Sequence, residues 1–176
     1  MEFAILDWIQ AHLRCGFLDA VLPVISWTSN HGEIWILLAL CLLAAKKSRR
    51  QGGTVAVALL MDLLCCNMFL KPLIGRVRPF VVNPAVELLV AAPLDASFPS
   101  GHTAVAFAGA VALYAAGKRW MRIGLVYACC MGFCRMYLMM HYPTDVLFGA
   151  LCGALCGVAA LYVCKWAEAA WLQRQK

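Results

Sequence analysis

The sequence predicts an all-α, polytopic membrane protein with six transmembrane helices and an N-terminal interfacial helix. Three observations predict it. Of 176 residues, 64% are hydrophobic and 14% charged, against a charged share of about 25% in soluble domains. The mean hydropathy is +0.78, more apolar surface than a soluble fold of this size can hide. The apolar residues come in runs broken by short polar or basic stretches, and the basic stretches alternate with the others as cytoplasmic flanks do. The length fits one domain over residues 1–176.

Residues 2–14 set Phe3, Ile5, Leu6, Trp8, Ile9 and Leu13 against Glu2, Asp7, Gln10, His12 and Arg14. That pattern suits an amphipathic helix in the membrane interface. It does not match the basic start and apolar core of a cleavable signal peptide. Gly16 to Thr28 is a short first span, and Ser29-Asn30-His31-Gly32 is a turn. The second span, Glu33 to Ala45, stops at Lys46-Lys47-Ser48-Arg49-Arg50. Gly52-Gly53 opens a third span to Leu70.

Residues 71–100 form a long interrupted segment punctuated by Pro72, Pro79, Pro84 and Pro93. A loop of that length is usually functional or disordered. Its apolar pieces suggest that it lies on the membrane or folds over a site. The remaining spans run from His102 to Gly117, from Ile123 to Met140 and from Pro143 to near Val163, where Lys165 and a polar tail follow.

With six spans and cytoplasmic termini, Arg14, Lys46, Lys47, Arg49, Arg50, Lys118, Arg119, Arg122, Lys165, Arg174 and Lys176 all fall on the cytoplasmic side. The exceptions are Lys71, Arg76, Arg78 and Arg135. Basic residues on the disfavoured side need another reason to be there. The ten cysteines lie mostly within apolar runs and suit packing as small hydrophobes. Cys152 and Cys156 have no His or acidic neighbour in sequence, so they predict no metal site. The +6 net charge is spread along the chain rather than clustered, which disfavours a nucleic-acid partner.

The stretch Arg135 to Asp145 places Arg135, His141 and Asp145 in an apolar run, where ionisable groups are functional candidates by default. The topology puts Lys71, Arg78, Pro99-Ser100-Gly101-His102 and this stretch at one membrane face. Lys71, Arg78 and Arg135 can neutralise a phosphate. Ser100 and Gly101 open a helix whose free N–H groups form an anion site. One histidine with a carboxylate partner can act as a nucleophile on phosphorus, and the other can protonate a leaving alkoxide. No carboxylate cluster for a metal is evident in the sequence, so the expected metal and cofactor are none, and the cations supply the electrostatics.

These residues resemble the type 2 phosphatidic acid phosphatase superfamily. Its pattern of Lys, six residues, Arg-Pro is met by Lys71 to Arg78-Pro79, and Pro-Ser-Gly-His by Pro99 to His102. Ser-Arg, five residues, His, three residues, Asp is met at Arg135, His141 and Asp145, with Cys134 in place of the usual Ser. The motif core spans residues 71–145. The resemblance implies a metal-independent lipid phosphate or diphosphate phosphatase at the extracytoplasmic face of the cell membrane. His141 would be the nucleophile, oriented by Asp145, with His102 as general acid and then base. Lys71, Arg78, Ser100, Gly101 and Arg135 would hold the phosphate of a phospholipid or polyprenyl phosphate such as undecaprenyl diphosphate or phosphatidylglycerophosphate.

The competing class is a lipid or solute transporter using the same charges for binding. It needs polar residues through the membrane depth, whereas these gather at one face. Outside the motifs, Arg76 is expected to meet solvent or lipid headgroups, and His31 and Glu33 to form a solvated turn. Asn67 shares a helical face with Lys71, which leaves a supporting role open. Asp62 is mid-span, either paired with a buried polar group or facing a cavity.

Overall fold

The structure, a computed structural model, describes residues 1–175, and every regular element among them is helical. The elements are α1 (Glu2–Leu13), α2 (Gly16–Trp27), α3 (Glu33–Ala44), α4 (Arg49–Asp62), α5 (Lys71–Ile74), α6 (Pro79–Val82), α7 (Gly101–Ala112), α8 (Lys118–Tyr137) and α9 (Pro143–Gln173). A π-helical stretch, Leu63–Leu70, joins α4 to α5, and a 3-10 turn, Leu113–Ala116, extends α7.

The apolar runs form helices whose larger side chains point outward. Phe17, Leu37, Leu40, Leu147, Leu151 and Leu155 are all exposed. Contiguous exposed apolar surface marks a surface made for a nonaqueous neighbour. The segments Lys46–Val82 and Pro143–Gln173 are long and apolar enough to cross a bilayer. Gly16–Trp27, Glu33–Ala44 and Gly101–Ala116 are apolar but shorter.

Small residues occupy the interior. Ala104, Ala106, Ala108, Ala110 and Ala112 of α7 are fully buried. Across from them, α9 carries Gly149, Gly153 and Gly157, four residues apart and hence on one face. A Cβ added at Gly153 would collide with the Ala104 carbonyl oxygen, and one at Gly149 would lie 2.6 Å from that of Ser100. Small residues at this spacing let two helix backbones touch. The contact also has a functional result: it fixes the N-terminus of α7, with Ser100 to His102, against the N-terminus of α9, with Asp145.

Several element boundaries differ from the sequence expectation. The last helix does not end near Val163 but runs to Gln173, because no Gly or Pro follows Gly157 and Lys165 is itself a good helix former. Arg50 at the start of α4 pairs with Glu168 on that extension. The helix expected from Ile123 begins at Lys118, and the one expected from Gly52-Gly53 begins at Arg49. Helix α1 covers all but the last residue of the 2–14 stretch and is anchored by Leu6 and Ile9, both buried, while Trp8 stays exposed. His31 and Glu33 pair in an exposed turn, as expected.

Candidate active site

The chain turns sharply between α8 and α9. Met139 adopts a left-handed conformation, φ 57°, uncommon outside glycine. The Met140 and His141 N–H groups both donate to the Arg135 carbonyl, at 3.1 and 3.3 Å. The turn thus closes the end of α8 and drives His141 inward, to 1% exposure. Pro143 then starts α9 at a position where its missing N–H costs nothing. Asp145 caps the same helix by accepting the Tyr142 N–H at 3.0 Å. The Ser100 N–H donates to the Asp145 carbonyl oxygen at 3.0 Å, tying the start of α7 to this corner.

Around His141 the polar contacts form a directed chain. Arg78 Nη1 donates to His141 Nε2 at 3.2 Å. A guanidinium only donates, so Nε2 accepts and the ring proton sits on Nδ1. Nδ1 faces Ser97 Oγ at 3.4 Å, and the Ser97 hydroxyl donates to Asp145 Oδ2 at 2.5 Å. The direct Nδ1 to Asp145 Oδ2 separation is 3.7 Å, too long for an ordinary hydrogen bond. Ser97 therefore stands between the two residues that the sequence pairs directly.

Asp145 is fully buried, and a buried carboxylate requires partners. It has them: Ser97, the Tyr142 N–H, and Arg76 Nη1 at 2.6 Å. This corrects the expectation that Arg76 meets solvent or headgroups. Arg76 donates to Asp145, Thr144 and Glu2, and its guanidinium stacks 3.9 Å above the Tyr142 ring. Glu2 also accepts from the Thr144 hydroxyl at 2.5 Å. Burial pushes the Glu2 carboxyl up, but hydrogen bonds from Thr144 and Arg76 outweigh it and hold the group below its usual range. The N-terminal helix is thereby bolted to the site by an ion pair that its amphipathic pattern did not signal.

The other expected residues sit around this chain. Lys71 and Arg78 both contact the Asp95 carboxylate, Arg78 Nη2 at 2.7 Å. Asn67 and Lys71 converge on Gly101: a Cβ there would fall 2.8 Å from Asn67 Oδ1 and 3.5 Å from Lys71 Nζ. A side chain at position 101 would have to push the Asn67 amide aside, and Asn67 is thereby placed beside the site. His102 Nε2 meets Asn30 Oδ1 at 3.1 Å. Arg135 is 2% exposed; its Nη1 donates to Ser26 Oγ at 2.5 Å, and its Nε has no partner among the described residues. A buried donor without an acceptor suits an anion site.

Ser100 is buried with its hydroxyl against Thr103 at 2.9 Å. Cys134 faces away, donating to the Leu22 carbonyl at 3.1 Å, so it contributes to helix packing. Asp62 is buried and its Oδ1 has no partner among the described residues. Glu2, Ser26, Asn30, Asp95, Ser97 and Thr144 had no signal in the sequence beyond polarity in segments that fold onto the site. Arg76 had one, its place on the disfavoured side of the charge pattern.

The layout is a cluster of cations around a buried, oriented imidazole, with a second histidine at the start of α7. Residues 51–169 match the sequence model of the PAP2 superfamily. The chain belongs to that superfamily. An undecaprenyl-diphosphatase from Sulfolobus acidocaldarius is 34% identical over 130 residues, covering 72% of this PAP2 chain and 62% of that relative. The chain therefore spans less than two thirds of that relative's length. The crystal structure of Aquifex aeolicus LpxE superposes with a TM-score of 0.80 at 28% identity, covering 92% of this chain and 94% of that one. That of the first transmembrane PAP2 type phosphatidylglycerolphosphate phosphatase from Bacillus subtilis superposes with a TM-score of 0.75 at 26% identity, covering 91% and 82%. This PAP2 chain is a membrane-embedded protein.

Proposed function

We propose that this chain is a lipid phosphate or diphosphate phosphatase working through a phosphohistidine on His141. The observation that carries the proposal is the His141 environment. Nε2 is the unprotonated nitrogen and touches Arg78, while Nδ1–H points toward Ser97 and Asp145. A nucleophile needs an unprotonated nitrogen, whose lone pair turns to phosphorus once the substrate draws the Arg78 donor away, and a partner that stabilises the cation it becomes.

In this mechanism the phosphate enters among Lys71, Arg78, Arg135 and the N–H groups at the start of α7, near Ser100 and Gly101. His141 Nε2 attacks phosphorus, and the bond from phosphorus to the leaving oxygen breaks. His102, held by Asn30, gives that oxygen a proton. It then takes one from water, whose oxygen attacks the phosphohistidine and frees phosphate. Asp145, through Ser97, stabilises the positive ring. The substrate class is a phospholipid or polyprenyl phosphate resembling undecaprenyl diphosphate or phosphatidylglycerophosphate, the kinds of substrate named for the relatives.

The test is phosphate release from a panel of such lipids. If side-chain cations and helix N–H groups stabilise the transition state, EDTA leaves activity intact and vanadate inhibits. Loss of activity in EDTA with recovery in magnesium would defeat the metal-independent scheme.

The same proposal carries six spans, cytoplasmic termini and an extracytoplasmic pocket, supported by the basic residues at alternate helix ends. With native cysteines removed, a single cysteine near Ala91 is expected to react with an impermeant maleimide from outside, and one near Arg49 is not. Equal labelling would overturn this orientation.

A further inference from the structure

The two cations best placed to receive a phosphate, Lys71 and Arg78, already hold an anion. The Asp95 carboxylate bridges them, one oxygen on each. Lys71 and Arg78 are largely buried, with side chains 12% and 4% exposed, whereas Asp95 is 51% exposed. We propose that Asp95 is a built-in counter-anion that the substrate must displace, and that this competition selects doubly charged phosphate groups over the singly charged phosphodiesters of the surrounding bilayer. The inference rests on the phosphatase function proposed above.

The geometry separates what is fixed from what can move. The backbone around Asp95 is pinned: Arg78 Nε donates to the Asp95 carbonyl at 2.9 Å, Arg78 Nη2 reaches the Ala96 carbonyl at 3.3 Å, and the Ser97 N–H donates to the Arg76 carbonyl at 2.8 Å. The side chain faces solvent on its outer side, so rotation about its own bonds carries the carboxylate out without moving the loop. Arriving phosphate oxygens inherit the two cations. Departing phosphate is replaced by the carboxylate, which shields Lys71 and Arg78 between turnovers.

Charge decides which ligand wins. Burial pushes the Asp95 carboxyl up, but Lys71 and Arg78 outweigh it and hold it down at about 2. The competitor therefore stays ionised throughout the neutral range. A phosphomonoester or diphosphate terminus brings about two negative charges near neutrality, and a phosphodiester brings one. Only the former gains enough over a carboxylate to take its place. An enzyme embedded among phosphodiester headgroups needs such a filter, because those lipids vastly outnumber its substrate.

If the carboxylate occupies the cations nine-tenths of the time, it lowers apparent anion affinity roughly tenfold. The experiment uses the purified full chain in mixed micelles, with Asp95→Asn, Asp95→Ala and Asp95→Glu. In the Asn and Ala variants the inhibition constant for inorganic phosphate is expected to fall roughly tenfold, with KM for a lipid phosphate falling in parallel. Phosphatidylglycerol in the micelle, inert toward the parent, is expected to become an inhibitor of both. Asp95→Glu, which keeps the charge, is expected to keep the parent's resistance to phosphatidylglycerol. An unchanged or raised inhibition constant in both neutral variants, with or without a lowered thermal midpoint, overturns the proposal: Asp95 then organises the cations rather than competing for them. A parent protein that neither hydrolyses lipid phosphates nor binds inorganic phosphate overturns the phosphatase proposal itself, and this inference with it.

Discussion

His141→Ala is expected to abolish the covalent phosphoenzyme with every substrate, while His102→Ala slows its formation only where the leaving group needs a proton. His141 is 1% exposed, with one nitrogen on Arg78 and the other toward Ser97. Alanine has no nitrogen to carry the phosphoryl group, so the covalent route through this position is lost. His102 is held from outside by Asn30 and acts on the leaving oxygen. A lipid alkoxide departs poorly, so His102→Ala should slow phosphoenzyme formation roughly 10²–10⁴-fold with a lipid phosphate, the usual contribution of a general acid. A p-nitrophenolate departs without help. With that substrate the His102 variant should still form its phosphoenzyme and then stall, because the base that activates water is missing. Rapid quench with both substrates separates the cases. A phosphoenzyme trapped in His141→Ala and absent in His102→Ala would reverse the two roles.

Arg76→Ala is expected to lower both stability and turnover, although Arg76 lies outside every motif. Its guanidinium is the cationic partner of Asp145, which is fully buried. Removing one member of a buried pair costs 3–5 kcal/mol when water is excluded. The Arg76 side chain is 27% exposed, so water replaces part of the loss and roughly 3 kcal/mol is expected. The catalytic effect follows from position. Asp145, once loosened, no longer fixes Ser97 and the His141 ring, and a misplacement of about 1 Å costs on the order of 10²-fold in rate.

Arg76→Lys tests the geometry. Lysine keeps the charge but cannot fork to Glu2, Thr144 and Asp145 together, nor stack on Tyr142 in the same way. It should recover stability better than kcat. Glu2→Gln, which frees α1 from Arg76 and leaves Asp145 paired, should be milder in both. A thermal midpoint and kcat for Arg76→Ala equal to the parent's would remove Arg76 from this account.

The sequence by itself determined a good deal. Apolar runs and alternating basic breaks are local properties, and they gave the all-helical membrane class and most helix positions. The spacings Lys71 to Arg78-Pro79, Pro99 to His102 and Arg135 to Asp145 gave the family, because each motif lies within one short stretch of chain. Helix ends were less legible: α9 continues past Lys165 because nothing after it stops a helix.

What the tertiary structure alone decided is which groups pair across long separations. Arg76 to Glu2, Ser97 to Asp145, Asp95 to Lys71 and Arg78, and Arg135 to Ser26 join residues from different segments. No periodicity encodes such pairs. They arise because Gly149 and Gly153 let α9 press against α7, and because the turn at Met139 brings α8 back toward both. Once those backbones meet, Asp145 is sealed from water, and a buried carboxylate must find donors among whatever residues the packing delivers. Charge and polarity named the candidates, and desolvation at the helix junction chose among them.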